Sequence, residues 1–309
     1  MLDEAQPQEK AGRRQGSSYL DHIQIMSRVI EVCREYRLPF VLTFVDYEKA
    51  FDSVETNAIP SALVDQDDAI SPKLLTAALQ WVMKSFSWEE RGVRVDGRFL
   101  SNLRSADDIV LFSSSTIEAQ TMLNELNETE KRIGLRINRK KTQFMKNPYC
   151  EDGGVQLEGF QIVETSSYVY LGRSMNMEND LKEELNRRMR AAWAAFYEIA
   201  EQQTDQNLRA HLFGSTVLRA LCYAAETWAD TAATCRKLLT TQRALERCLR
   251  KFNKRTQHLD GLRSSDIRRM CRLRDPAEYI SKANHRWAGH IMRRIDDRWT
   301  KRTLKWKRS

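Results

Sequence analysis

The sequence predicts an α+β fold, with one modest sheet towards the front of the chain and a long helical region behind it. Three observations carry that expectation. With 12 Gly and 6 Pro in 309 residues, the chain is too poor in turn formers for an all-β protein of this length. Short β-branched and aromatic runs are confined to the first 177 residues. Beyond Glu178, apolar residues recur at helical spacing through most of the remaining chain.

The elements follow in order. Leu20, Ile23, Ile25, Met26, Val29, Ile30 and Val32 predict a helix that ends before Pro39. Phe40 to Val45 (FVLTFV) has the composition of a buried strand, and Asp46 stands at its end. Ser71-Pro72 predicts a helix over 74–82, with Ser as cap and Pro in the first turn. Asp96-Gly97, in the middle of Gly92 to Leu103, predicts a hairpin. Ile109 to Phe112 is a short apolar strand preceded directly by Asp107 and Asp108. Thr116 to Ile133 is an amphipathic helix stopped by Gly134. Short strands are expected at Val155 to Leu157, Gln161 to Val163 and Tyr168 to Leu171. Leu181, Leu185, Met189, Trp193 and Phe196 form one helical stripe, and Leu208 to Trp228 a second, largely apolar segment. Asp275-Pro276 starts a third helix with Tyr279, Ala283, Trp287 and Ile291 inward.

Composition narrows the function classes. The apolar share of 41% excludes a disordered chain, and no apolar run reaches the length of a membrane span. The acidic, polar start (MLDEAQPQEK) is unlike a secretory signal, so an intracellular protein is expected, with nucleus and cytoplasm both open. KRTLKWKR near the end is a weak import motif and reads more simply as part of a basic face. Residues 251–309 hold 18 basic and 6 acidic residues, whereas the first 250 carry a small net negative charge. Such clustering is the electrostatic footprint of a polyphosphate partner. Within it Lys251, Lys254, Arg255, Arg286, Arg293 and Arg294 are candidate nucleic-acid contacts, and Trp287, Trp299 and Trp306 candidate stacking residues. The six Cys form no CxxC pair and read as reduced thiols. A zinc site from Cys271, His285 and His290 has an uncommon spacing and lacks a fourth ligand, so helix packing is the simpler reading.

The remaining chemistry lies in three carboxylates. Asp46 follows a buried strand, and Asp107-Asp108 sits at the entry to another. Carboxylates at the ends of neighbouring strands can converge on two divalent cations, which clamp the attacking and leaving oxygens of a phosphoryl transfer. Oxygen ligands favour Mg²⁺ or Mn²⁺ over zinc. Taken alone, such residues are more often turn formers.

Their surroundings resemble a known family. FVDYEKAFDSV (Phe44 to Val54) resembles motif A of reverse transcriptases, and ADDIVLF (Ala106 to Phe112) their catalytic ADD box, in the form found in non-LTR (LINE-like) retrotransposons. In the same order, AGRRQGSS (Ala11 to Ser18) resembles the fingers motif, ISPKL (Ile70 to Leu74) the end of motif B, GLRINRKKT (Gly134 to Thr142) motif D and YLG (Tyr170 to Gly172) the primer grip. Six motifs in one order are specific where any one is weak. The resemblance implies a right-hand polymerase: partial fingers over 1–39, an α+β palm over 40–177 built on a split βαβ-type antiparallel sheet, and a helical thumb with a basic C-terminal region over 178–309. It implies an RNA-directed DNA polymerase with RNA template, DNA primer, deoxynucleotides and Mg²⁺ or Mn²⁺ as partners, and no membrane. By the same resemblance, Asp46 and Asp107 are the metal ligands and Asp108 supports them. Phe51 falls at the position that excludes a 2′-hydroxyl, although periodicity alone makes it helix core. Lys141 matches a lysine that serves the departing pyrophosphate, and Arg14 one that holds nucleotide phosphates. Lys141 could as easily be a surface charge, and Arg14 part of an unstructured basic tail.

Four departures from the family pattern predict impaired polymerisation. Asp46 and Pro72 are only 26 residues apart, which shortens the stretch between motifs A and B. Gln66-Asp67 stands where the family has Gln-Gly, so Gln66 is the nucleotide-side candidate and Asp67 brings a negative charge beside the phosphates. Ser105 replaces an aromatic residue before ADD, and Arg13 an apolar one in the fingers motif. The alternative function is a non-catalytic nucleic-acid-binding remnant acting through the basic C-terminal helices.

Overall fold

Strand β2 (Val41–Val45) is buried along its whole length, because Val41 and Val45 face one layer while Leu42 and Phe44 face the other. The computed structural model describes residues 10–11, 19–48, 86, 88–105, 108–202, 206–228, 231–293 and 298–306. Two compact units emerge: Met1–Leu171 with Met175–Asn179 and Asp296–Ser309, and Gly172–Ser174 with Asp180–Ile295.

The first unit is built on a sheet of order β1–β5–β6–β2–β7–β10. Its strands are β1 (Lys10–Ala11), β2, β5 (Asn102–Ser105), β6 (Asp108–Ser113), β7 (Gln143–Lys146) and β10 (Val163–Glu164). β2 runs antiparallel to β6 from Val41↔Ser113 to Val45↔Ile109, and antiparallel to β7 from Val41↔Lys146 to Phe44↔Gln143. β3 (Val93–Val95) and β4 (Arg98–Leu100) form the expected hairpin. Asp96 and Gly97 both have positive φ, 49° and 80°, as a two-residue turn with matching twist requires. Short strands β8 (Gln156–Leu157), β9 (Phe160–Gln161), β11 (Ser167–Tyr170) and β12 (Arg173–Asn176) complete the β structure.

One face of the sheet is covered by α2 (Thr116–Lys131), whose Ala119, Met122, Leu123 and Leu126 pack with Val41, Val45, Ile109, Leu111 and Phe144. Each of these side chains larger than Ala119, fully buried, contributes about 1.5–3 kcal/mol. Ser115 caps α2, its hydroxyl accepting from Glu118 N–H at 3.1 Å, and Gly134 follows at φ 81° where the sequence placed the stop. On the other face Phe44 stacks on Tyr168, with ring centroids 4.0 Å apart, and Phe40 meets Phe112 at 5.9 Å. Helix α1 (Tyr19–Glu35) spans the segment expected from its spacing. Its Arg28 donates to the Trp306 carbonyl at 3.2 Å.

The second unit is helical. It comprises α3 (Lys182–Gln202), α4 (Gln206–Leu212), α5 (Leu218–Leu221), α6 (Ala232–Leu249), α7 (Lys254–Leu259), α8 (Ser264–Cys271) and α9 (Pro276–Arg293). Leu185, Ala192, Phe196, Phe213, Val217, Leu221, Leu238, Leu245 and Ile267 form its core. The last helix, α10 (Trp299–Lys305), clusters with the first unit and packs on α1.

Several expectations are revised. The apolar segment 208–228 is not one helix. A wide π turn (Phe213–Val217) and a 3₁₀ turn (Ala225–Thr227) interrupt it. Gly214, Ser215 and Thr216 are poor helix formers, and the two hydroxyls bond back to the Leu212 carbonyl at 3.2 and 2.6 Å. Strand β7 had no sequence signal. The clustering differs from the boundary expected at 178 in that Gly172–Ser174 join the second unit and Asp296–Ser309 the first. Trp299 and Trp306 are buried, so they are core rather than stacking surface. The helix expected over 74–82 lies outside the described residues. All six Cys are free thiols, and Cys271, His285 and His290 form no metal-binding group. Among the described residues no helix is long and apolar enough to cross a membrane.

Candidate active site

The end of β2 and the start of β6 define the site. Val45 pairs with Ile109, so Asp46 and Asp108 are the next residues along these two antiparallel neighbours. The β5–β6 pairing continues to Ser105↔Asp108; Ala106 and Asp107 lie between these two in sequence and outside the described residues. Both Asp46 and Asp108 are half-buried. Arg14, Phe51, Gln66 and Arg294 also lie outside the described residues.

A second segment fixes Asp46 from its other side. The Asn138 N–H donates to the Asp46 carbonyl at 2.7 Å, Tyr47 bridges Ile137, and the Glu48 N–H donates to the Arg136 carbonyl at 2.9 Å. The Asp46 N–H in turn donates to Thr142 Oγ1 at 3.2 Å. Asn138 then turns the chain, its Oδ1 accepting from Lys140 N–H at 3.1 Å and Lys141 N–H at 3.3 Å. The turn delivers Lys141 Nζ to 3.6 Å from Asp46 Oδ1. Lys141 is two-thirds exposed, so this pair adds less than about 1 kcal/mol to stability. Its consequence is positional: a cation stands beside the first carboxylate.

Two tyrosines look onto the same charges. Tyr168 and Tyr170 alternate along β11 and therefore share a face. Burial first, then the negative charges of Asp108 and Asp46, push the Tyr168 phenol up to about 12. Tyr170 is pushed well above its ordinary value by burial and then by Asp108. Its hydroxyl lies 3.2 Å from Nδ1 of His22, which burial and then the Arg104 charge hold down to about 3. Carboxylate oxygens are hard donors of the kind Mg²⁺ or Mn²⁺ takes. Among the described residues no three acidic, His or Cys groups lie together, Asp107 being outside them.

Sequence reasoning missed the supporting residues. Beneath Asp46, the Tyr47 hydroxyl donates to Glu130 on α2, whose carboxyl is fully enclosed. Burial pushes Glu130 up to about 8, against the opposing effect of the Tyr47 bond. The only sequence signals were the Tyr168/Tyr170 alternation and an acidic residue on the inner stripe of α2. Beside the site a cleft of about 1100 Å³ is lined by Lys131, Arg136, Arg139 and Lys141, with Glu48 and Glu158 opposing them.

The C-terminal candidates are dispersed. Lys251, Lys254, Arg255, Arg286 and Arg293 are all exposed. Lys254 lines one cleft with Arg243, Arg247 and His258, while Arg286 lines another.

No protein-family model matches the chain. An uncharacterized transposon-derived protein of Caenorhabditis elegans is 39% identical over 222 residues, which cover 70% of this chain and 80% of that protein. The chain belongs to this transposon-derived family.

Proposed function

We propose that the chain is the reverse-transcriptase domain of a non-LTR retrotransposon, an RNA-directed DNA polymerase whose carboxylate centre is assembled while its polymerisation is impaired. The observation that carries the reading is the register of β2 against β6, which brings Asp46 and Asp108 to adjacent strand ends with Lys141 at 3.6 Å from Asp46. The six motifs, in order along the chain, and the transposon-derived relative support it. The palm assignment rests on the antiparallel β6–β2–β7 core with α2 on one face, and the thumb assignment on the helices from 182 onward.

Asp46, Asp107 and Asp108 would hold Mg²⁺ or Mn²⁺, which when bound supplies charge neutralisation at the attacking and leaving oxygens of nucleotidyl transfer. Lys141 balances or protonates the departing pyrophosphate. Thr142 and Asn138 hold the backbone of Asp46, and Tyr168 walls the site with an un-ionised phenol. Phe51 selects deoxynucleotides, and Arg14 and Gln66 contact the nucleotide. Asp67 falls where the resembled family has glycine, and its negative charge there opposes binding of the nucleotide.

The test is primer extension on a primed RNA template with Mg²⁺ or Mn²⁺, together with Mn²⁺ binding, for the chain and its Asp107→Asn, Asp108→Asn double variant. Mn²⁺ binding lost in the variant, with or without extension by the parent, supports the centre. Equal Mn²⁺ binding and equal extension in both proteins overturn it. A second reading, a non-catalytic nucleic-acid binder, is favoured by the basic clefts of the second unit. It predicts salt-sensitive RNA binding that the double variant leaves unchanged, with no Mn²⁺ binding by either protein.

A further inference from the structure

Where α6 gives way to the short helix α7, the second unit holds a cleft of about 380 Å³. Arg243 and Arg247 line it from α6, Lys254 and His258 from α7, and Ser264 from the start of α8. We propose that this cleft is a site for a small, multiply phosphorylated ligand, one that carries several phosphates on a single short scaffold. The proposal rests on neither reading of the function given above, because it uses none of the carboxylates and needs no nucleic acid.

Charge is the first support. No carboxylate stands among the described residues that line the cleft. Arg243, Arg247 and Lys254 make no ion pair among the described residues, whereas elsewhere in the same unit Arg268 is held by Glu246 and Asp275, and Lys282 by Glu278. Like charges four residues apart on a helix destabilise it, and Arg243 with Arg247 are such a pair on α6. A multivalent anion that binds the folded chain relieves that repulsion and stabilises the fold.

Shape is the second support, and it favours a compact anion over an extended one. Residues four apart on a helix are about 6 Å apart along its axis. Arg243 with Arg247 and Lys254 with His258 are two such pairs, on helices joined by only residues 250–253, so the basic side chains bracket one small cavity and do not run in a line. Two guanidinium forks match phosphate oxygens, Lys254 adds a point charge, and His258 and Ser264 add single N–H and O–H donors. The walls are fixed before any ligand arrives. The Phe252 N–H donates to the Arg247 carbonyl at 2.9 Å, Asn253 Oδ1 accepts from Thr256 N–H at 2.7 Å, and Gln257 Nε2 donates to the Leu262 carbonyl at 3.1 Å. Leu249, Phe252 and Leu262 pack into the helical core beneath. Cations that spring from a fixed backbone lose less freedom on binding. The volume lies at the small end of the range of about 300–1,000 Å³ typical of ligand sites.

The test is titration calorimetry of the full chain, without divalent metal, with two probes that separate the sources of such a ligand: inositol hexakisphosphate for a phosphorylated polyol and tripolyphosphate for a linear inorganic chain. Binding of either supports the site, and the tighter one assigns the source. Arg243→Gln with Arg247→Gln should weaken the tighter probe about a hundredfold, about tenfold for each charged hydrogen-bonding group removed. In urea unfolding at low salt that variant should be at least as stable as the parent, because it relieves repulsion, so its loss of affinity is not a loss of fold. Arg236→Gln with Lys237→Gln removes the same charge from exposed positions of α6 outside the cleft and should leave affinity within about twofold. Absence of binding by both probes, equal losses in the two double variants, or displacement by an oligonucleotide of equal total charge as effective as by unbound probe would overturn the proposal. So would a deoxynucleoside triphosphate that binds more tightly than tripolyphosphate, since the cleft would then read the nucleoside. Because the measurement needs neither metal nor template, a failure of primer extension leaves it intact.

Discussion

Glu130 offers the sharpest test of the packing beneath the site. It is fully enclosed on α2, takes the Tyr47 hydroxyl bond on Oε1 and, among the described residues, has no partner for Oε2. Burial raises its carboxyl from 4.5 to about 8. A folded pKa above the unfolded one gives stability that is complete below the unfolded pKa and is lost as pH rises through the folded pKa. The loss therefore runs from about pH 4.5 to about pH 8. Linkage puts it at about 1 kcal/mol by pH 5 and about 4 kcal/mol by pH 8. Glu130→Gln keeps the shape and the acceptor for Tyr47 while removing the titration. The variant should gain on the parent by about 3 kcal/mol between pH 5 and pH 8, read from urea unfolding at both values. Other titrating groups, His22 among them, cancel in the comparison. A difference that stays constant to within about 0.5 kcal/mol would refute the burial of Glu130 as the cause.

Two further outcomes follow from buried groups. His22 is held down to about 3, so its contribution is complete above its ordinary value of 6.5 and is lost as pH falls towards 3; His22→Asn should show a shallower acid loss, by about 3 kcal/mol at pH 4. Burial pushes Cys33 and Cys222 up to about 12 and Cys271 up to about 11, whereas Cys248 is exposed. A thiol reagent at pH 8 should label Cys248 in the native protein and reach those three only on unfolding, as peptide mapping would show.

What was legible in the sequence was local. FVLTFV announced β2 through β-branched and aromatic residues, Asp96-Gly97 announced its hairpin, and Gly134 marked the end of α2. Asp46 and Asp108 could be assigned to strand ends because each borders a short apolar run. The rest depends on contacts distant in sequence. β7 is only Gln143–Lys146, and its place as a direct neighbour of β2 comes from pairing across a hundred residues. Glu130 sits in the charged run ETEKR, where only its place on the inner stripe of α2 sets it apart from a solvated residue. Packing of α10 on α1 joins the two ends of the chain, and no periodicity reports that.

The separation of local from distant determinants bears on the proposed chemistry. Asp46 is held by β6 through the strand register and by residues 136–142 through four hydrogen bonds or bridges. Every one of those contacts is among residues 41–48, 108–113 and 134–146; the stretch between 49 and 85 lies outside the described residues. That stretch is where the sequence departs most from the polymerase pattern, by its shortness and by Gln66-Asp67. In the proposed reading the carboxylates and the nucleotide-facing residues Phe51 and Gln66 belong to different stretches of the chain, so different measurements test them. Phosphoryl transfer depends on positioning the nucleotide as well as on neutralising its charge. A chain of this construction can keep a cation site while losing turnover, which is why Mn²⁺ binding, rather than extension alone, decides whether the aspartates still form a centre.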